Sequence, residues 1–181
     1  MTAQELIHAI LTEMGSCSKV KLAKIFLFIE RSYYRTWEES LTGSYYVRLQ
    51  RGPVPANFDD ILKEGEGTLW TMKICDMDIP GATTTYTQHK YEPISAAINI
   101  PQPAQDIIHE ICSKVNNHTG NQLSEISHQL PAWMYSDPGE PLFIEELVLD
   151  NKEEYFQLID KVNEMESDSE YIPEEILALL S

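Results

Sequence analysis

Lys21-Leu22-Ala23-Lys24-Ile25-Phe26-Leu27-Phe28-Ile29-Glu30 is apolar nearly all the way round when wound as a helix. A helix with no wide polar face belongs in the centre of a fold, not on its surface. Ser18 is placed to start this helix, and Val20 extends its apolar surface. Lys19, Lys21 and Lys24 fall at its front end, where a solvated first turn is the expectation. Upstream, Thr2 and Glu5 have the spacing of a capping box. Leu6, Ile7, Ile10, Leu11 and Met14 then share one helical face, and Gly15 suits a left-handed cap.

Beyond Arg35 the pattern changes. Thr42-Gly43-Ser44 reads as a turn, and Tyr45 to Gln50 as a short aromatic and branched strand. In Arg51-Gly52-Pro53-Val54-Pro55, glycine frees the backbone and two prolines remove two donors. That segment is expected to end the strand and form a rigid corner. Pro55 would open a helix bearing Phe58, Ile61 and Leu62. Thr68 to Cys75 and Ala82 to Tyr91 read as two antiparallel strands of a ribbon, with a turn at Pro80-Gly81.

Four helices follow. Pro103 opens one with the stripe Ile107, Ile108, Ile111, Cys112 and Val115, ending near Gly120. Leu123, Ile126, Ser127 and Leu130 line a shorter one stopped by Pro131. After a turn at Asp137-Pro138-Gly139, Asp150 and Glu153 cap a helix carrying Tyr155, Phe156, Leu158, Ile159 and Val162. Met165 to Glu170 reads as an acidic linker, and a last helix follows Pro173 with Ile176, Leu177 and Leu180 on its apolar side. The expected fold class is mainly α with a small antiparallel β-ribbon (α+β), a compact helical domain around a buried central helix. Residues 1–150 form the domain, and residues 151–181 form an acidic helical C-terminal appendage.

The chain has 181 residues, 43% of them hydrophobic, enough for one packed core. Its longest apolar run, Ile25 to Ile29, is far short of the roughly 20 residues a membrane span needs. Met1 to Met14 lacks the pattern of a signal peptide. Three cysteines, Cys17, Cys75 and Cys112, do not make a disulfide framework, so a cytoplasmic location is expected. The net charge is -16, and residues 137–181 hold 14 acidic and 2 basic residues. Such a surface repels nucleic acid and anionic membranes and attracts basic protein.

Catalytic patterns fail on inspection. His109-Glu110 begins a zinc-protease motif, but Ser113 stands where the second histidine is required. His109 and Cys112 are only two ligands, so no metal and no cofactor is expected. Cys112 lies on an apolar stripe and reads as core. Ser124 and His128 are four apart on one helix, whereas a nucleophilic serine stands on a sharp turn beside an oxyanion hole. The expectation is a protein that is not an enzyme. Aromatic residues stand out instead: Tyr33, Tyr34, Trp37, Tyr45 and Tyr46 cluster around one turn. Aromatic side chains supply contact area at interfaces. Tyr34, Trp37 and Tyr46 are the partner-binding candidates. Tyr33 and Tyr45 are expected to pack the strand onto the central helix.

Three stretches in this order resemble the Panacea domain, or SocA-like antitoxin, family. They are the helix Lys21 to Glu30, the strand running into Gly52-Pro53-Val54-Pro55, and Leu123-Ser124-Glu125-Ile126-Ser127-His128 followed by Pro131-Ala132-Trp133. The resemblance spans about residues 19–148. Ser127 stands where the family usually has threonine, which keeps the hydroxyl. The resemblance implies an antitoxin that neutralises a protein toxin, encoded by an adjacent gene, through direct contact. It also implies delivery to a protease in one branch, and an occurrence in phages and mobile elements. Gly52, Pro53, Val54, Pro55, Leu123, Ser124, Ser127, His128 and Trp133 would then form the scaffold, with His128 and Trp133 anchoring the C-terminal part of the domain. The alternative reading of the charge is an acidic mimic of nucleic acid, or another phage or mobile-element interaction protein.

Overall fold

The computed structural model describes residues 1–78, 85–94 and 98–169. In chain order these form α1 (Ala3–Met14), β1 (Cys17–Ser18), α2 (Lys19–Trp37), β2 (Tyr46–Leu49), β3 (Gly52–Pro55), α3 (Phe58–Gly65), β4 (Trp70–Asp78), β5 (Thr85–Pro93), α4 (Gln102–Val115), α5 (Gly120–Ser127), α6 (Pro131–Tyr135), β6 (Pro141–Leu142), α7 (Ile144–Leu147) and α8 (Lys152–Ser169). The chain is α+β, with helices around two small antiparallel sheets ordered β1-β5-β4 and β3-β2-β6. No described helix is long and apolar enough to cross a membrane.

Local sequence chemistry sets the first two helices. Thr2 and Glu5 form the reciprocal box: Glu5 N donates to Thr2 Oγ1 at 3.1 Å and Thr2 N to Glu5 Oε2 at 2.7 Å. Gly15, at φ 70°, donates its N–H to Leu11 O. Ser18 caps α2 by accepting from Lys21 N. Leu22, Ala23, Ile25, Phe26, Leu27 and Ile29 are all buried, because α1, α4, α5, α7 and β3 pack around α2. Two charged residues of α2 are buried with them, Lys24 and Glu30. The expectation of a solvated Lys24 is therefore corrected. Glu30 fixes the loop after α2: its carboxylate accepts from Leu41 N at 3.0 Å, Thr42 N at 2.9 Å, Ser40 Oγ at 3.2 Å and the Thr42 hydroxyl.

The Gly52–Pro55 segment is not a corner. It pairs antiparallel with β2, Leu49 facing Gly52 and Tyr46 facing Pro55, across a two-residue turn at Gln50 and Arg51. The prolines are tolerated because of where they fall. Ladder hydrogen bonds alternate along an antiparallel pair. Pro53 and Pro55 occupy the positions whose backbone groups point away from β2, on the open edge of the sheet. The missing N–H groups were never needed there. Pro55 accordingly ends a strand, and α3 starts three residues later after Asn57 in the left-handed region.

In the ribbon, Trp70 is fully buried and its Nε1 donates to Leu62 O at 2.9 Å. Ile74, on the same face, is 64% exposed, so the ribbon outruns the body that covers its base. The turn at Pro80-Gly81 and residues 82–84 lie outside the described residues, as does the helix expected after Pro173.

Several boundaries shift. Gly120 opens α5 behind the cap Thr119 rather than ending α4. Pro131 opens α6 rather than only stopping α5. Ile126 is 43% exposed, off the buried face. Residues 165–169 continue α8 instead of forming a linker. The cap of α8 is Asn151, whose Oδ1 accepts from Glu154 N at 2.9 Å.

Asp150, displaced from capping, ties the C-terminal arm to α2. Its two carboxylate oxygens accept from Arg31 at 2.8 Å and Arg35 at 2.6 Å. Arg31 Nε and Arg35 Nη2 also donate to the carbonyls of Leu147 and Val148. The pair with Arg35 is exposed, and such pairs contribute up to about 1 kcal/mol; Arg31, 11% exposed, keeps its bond to Leu147 O when Asp150 is removed. Asp150→Ala should therefore raise hydrogen-exchange rates across residues 152–165 a few-fold while leaving the global unfolding midpoint nearly unchanged. Unaltered exchange there would show that the two arginines do not hold the arm.

Candidate functional site

The motif segments converge on one buried amine. Lys24, in the second turn of α2, is 1% exposed, and its Nζ donates to Pro53 O at 2.5 Å. Pro53 points its carbonyl off the open edge of the hairpin, so the lysine satisfies an acceptor that no strand reaches. No ion pair among the described residues includes Lys24. Burial without a counter-charge pushes its ammonium down from 10.5 to about 7.

Gly52 makes this approach possible. It sits at φ +90°, and a Cβ there would collide with Ser127 Oγ and come within 2.8 Å of Lys24 Nζ. Ser127, fully buried, donates its hydroxyl to Ser124 O at 2.8 Å, and Ser124 donates to Gly120 O at 3.0 Å. Both hydroxyls are therefore turned back onto the backbone of α5. Leu123, on the same helix, is fully buried.

The next segment clamps the hairpin from its tip. Trp133 Nε1 donates to Leu49 O at 2.8 Å, and Arg48 Nε donates to Trp133 O at 3.3 Å. The His128 ring stacks on Trp133 with centroids 3.9 Å apart, and the Arg48 guanidinium lies 4.5 Å from the indole centroid. Desolvation, then the charges of Lys24 and Arg48, hold His128 below its ordinary pKa. An imidazole kept neutral stacks flat on an indole without carrying a charge into the contact. Ser124 and His128 thus each have a structural partner and do not face one another as nucleophile and base.

Other reactive candidates are similarly engaged. Burial pushes the Cys17 thiol up to about 11 and the Cys112 thiol up to about 12, which keeps both protonated at neutral pH. His109 Nδ1 lies 3.1 Å from Glu13 Oε2, linking α4 to α1 rather than joining Cys112. No group of three or more metal-ligating side chains occurs among the described residues.

The aromatic candidates separate. Tyr46 is fully buried, packs edge-on against Phe26 with centroids 6.4 Å apart, and belongs to the core, so its assignment as a partner contact is corrected. Trp37 is 41% exposed and stacks on Tyr33 at 4.6 Å; Tyr34 is half-buried beside them. Tyr33, half-buried against the core, thus also supports Trp37. Tyr45, 45% exposed, lies near Phe143 and does not seal the strand to the helix.

One concavity adjoins the motif cluster. About 510 Å³ in volume, it lies between the first turns of α2, the hairpin and the start of α3. Val20, Val47, Leu49, Val54, Pro55 and Phe58 give it apolar walls, and Lys19, Lys24, Arg51 and Asp59 supply its charges. Sequence reasoning missed it because its walls come from three elements whose contact is not local.

Two outcomes test the cluster. Gly52→Ala should destabilise the protein by roughly 2–4 kcal/mol in urea titration, from the strained φ and the collision. For Lys24, the depressed folded pKa means that the unfolded chain binds the extra proton between about pH 7 and 10.5, so stability rises with pH across that window and is lowest below it. The two raised thiols oppose this above about pH 8, where unfolded thiols begin to ionise. From pH 7 to 8, before the thiols weigh in, the wild type should gain about 1 kcal/mol and Lys24→Met should gain nothing. Equal gains would show that Lys24 is not titrating in the buried site.

The family described as Antitoxin SocA-like, Panacea domain, matches residues 22–134, more than half of the chain. No curated protein and no solved structure matches. The matched stretch runs from the second turn of α2 into α6 and contains the lysine, the hairpin and the histidine–tryptophan stack. This chain belongs to the SocA-like antitoxin family and carries its Panacea domain.

Proposed function

We propose that this protein is an antitoxin that neutralises a toxin, encoded by an adjacent gene, by binding it directly in the cytoplasm, without catalysing a reaction. Membership of the SocA-like antitoxin family carries this reading. Two further observations support it. The serine, histidine and cysteine side chains that would serve chemistry are committed to packing or to backbone hydrogen bonds. The Tyr33–Trp37 stack presents a rigid aromatic surface at the C-terminal end of α2, the type of residue that dominates interface energetics. Tyr34 and Trp37 are the proposed contacts.

A second reading draws on α8, whose Glu153, Glu154, Asp160 and Glu164 are exposed. Such a face suits an acidic mimic of nucleic acid occupying a basic partner. The two readings differ in salt dependence. Mimicry predicts an affinity that falls steeply between low and physiological salt, and an aromatic interface predicts one that barely changes.

Co-expression with the product of the adjacent gene tests the main reading. The neighbour alone should arrest growth, and the pair should grow and co-purify as a complex. Trp37→Ala should weaken that complex about ten-fold, the effect of losing a hot-spot aromatic, with no change in thermal midpoint. A harmless neighbour that does not co-purify would overturn the antitoxin reading.

A further inference from the structure

We propose that the groove between α2, the β2–β3 hairpin and α3 is the anchoring site for the partner, and that it accepts an apolar side chain flanked by an acidic residue. This inference rests on the antitoxin reading and specifies where and by what chemistry the toxin docks.

The open edge of the hairpin decides how a partner can bind there. A strand edge ordinarily captures an extended peptide through its free N–H and C=O groups. The outward positions of β3 are Pro53 and Pro55, which have no N–H, and Pro53 O is already taken by Lys24 Nζ. Backbone pairing along this edge is therefore blocked. Recognition must come from side chains entering the concavity beside it, whose volume of about 510 Å³ falls in the range of ordinary ligand pockets.

Charge selects the occupant. The chain as a whole carries -16, yet the groove presents Lys19 and Arg51 against the single Asp59, the amine of Lys24 being buried and spent on Pro53 O. Lys19 is paired with Asp59. Arg51, exposed at the hairpin tip, makes no ion pair among the described residues. An apolar side chain fits the walls, and an adjacent carboxylate meets a guanidinium able to bind it with two hydrogen bonds. A second copy of this acidic chain would have to overcome like-charge repulsion to sit here, which favours a different protein as occupant.

The test uses the full chain with the product of the adjacent gene. Arg51→Glu reverses the rim charge on an exposed turn, and Val54→Trp fills the groove. Each should weaken the complex at least ten-fold and abolish rescue of growth, with a thermal midpoint within a few degrees of wild type. Reversing the partner's acidic residue to arginine should restore binding to Arg51→Glu. If Val54→Trp does not fold, Arg51→Glu and its charge-swap partner decide alone. Wild-type binding with both variants within two-fold overturns the groove and leaves the antitoxin reading standing. No binding by wild type overturns that reading and the groove with it. A homodimer in light scattering that Val54→Trp dissolves would assign the groove to self-association, against the proposal.

Discussion

A single hydrogen bond inside the molecule, from Lys24 Nζ to Pro53 O, sets the conditions for much of its architecture. An amine moved out of water without a counter-charge is costly, and a carbonyl on an unpaired strand edge is costly if left alone. Each group offsets the other's desolvation. The contact needs a hairpin whose next residue has no side chain, hence Gly52 at φ +90°, and a small hydroxyl residue opposite, hence Ser127. Helix, hairpin and α5 are thereby held in one arrangement.

The same helix fastens other segments by the same physics at different points along its length. Lys24 holds the hairpin, Glu30 holds the loop at residues 40–42, and Arg31 with Arg35 holds the arm leading to α8. Charged groups on a central helix are tolerated because each finds backbone donors or acceptors, or a carboxylate, at short range. The interior is thus specified by directional contacts as well as by apolar area. That distinguishes it from a core of leucines, which could repack in several ways.

This division bears on how a domain of this kind meets its partners. The motif residues Gly52, Pro53, Ser124, Ser127, His128 and Trp133 are spent on internal contacts. Val54 and Pro55 also line the groove, so the scaffold and the proposed anchoring site share a wall. Partner choice then falls to the residues at the rim, where Arg51 stands, and to the aromatic end of α2. Such surfaces can change without disturbing the hydrogen bonds beneath them.

Local patterning in the sequence determined α1, α2, the ribbon, the caps at Thr2 and Ser18, and the burial of Cys112, because periodicity and capping act within a few residues. The motif order also made the family legible. The sequence did not reveal that Gly52–Pro55 is a strand, since proline is allowed there only on an edge facing outward, and which edge is open is a property of the assembled sheet. Nor did it separate Lys24 from its half-buried neighbours Lys19 and Lys21, or Tyr46 from the more exposed aromatics around it. Side-chain type is the same in each group. What differs is the element that packs over the residue, and in each case that element arrives from elsewhere in the chain: β3 and α5 over Lys24, and Phe26 of α2 against Tyr46. Local elements followed from the order of residues. The buried charge, the edge and the groove were decided by long-range packing, which alone fixes the solvent exposure of each group.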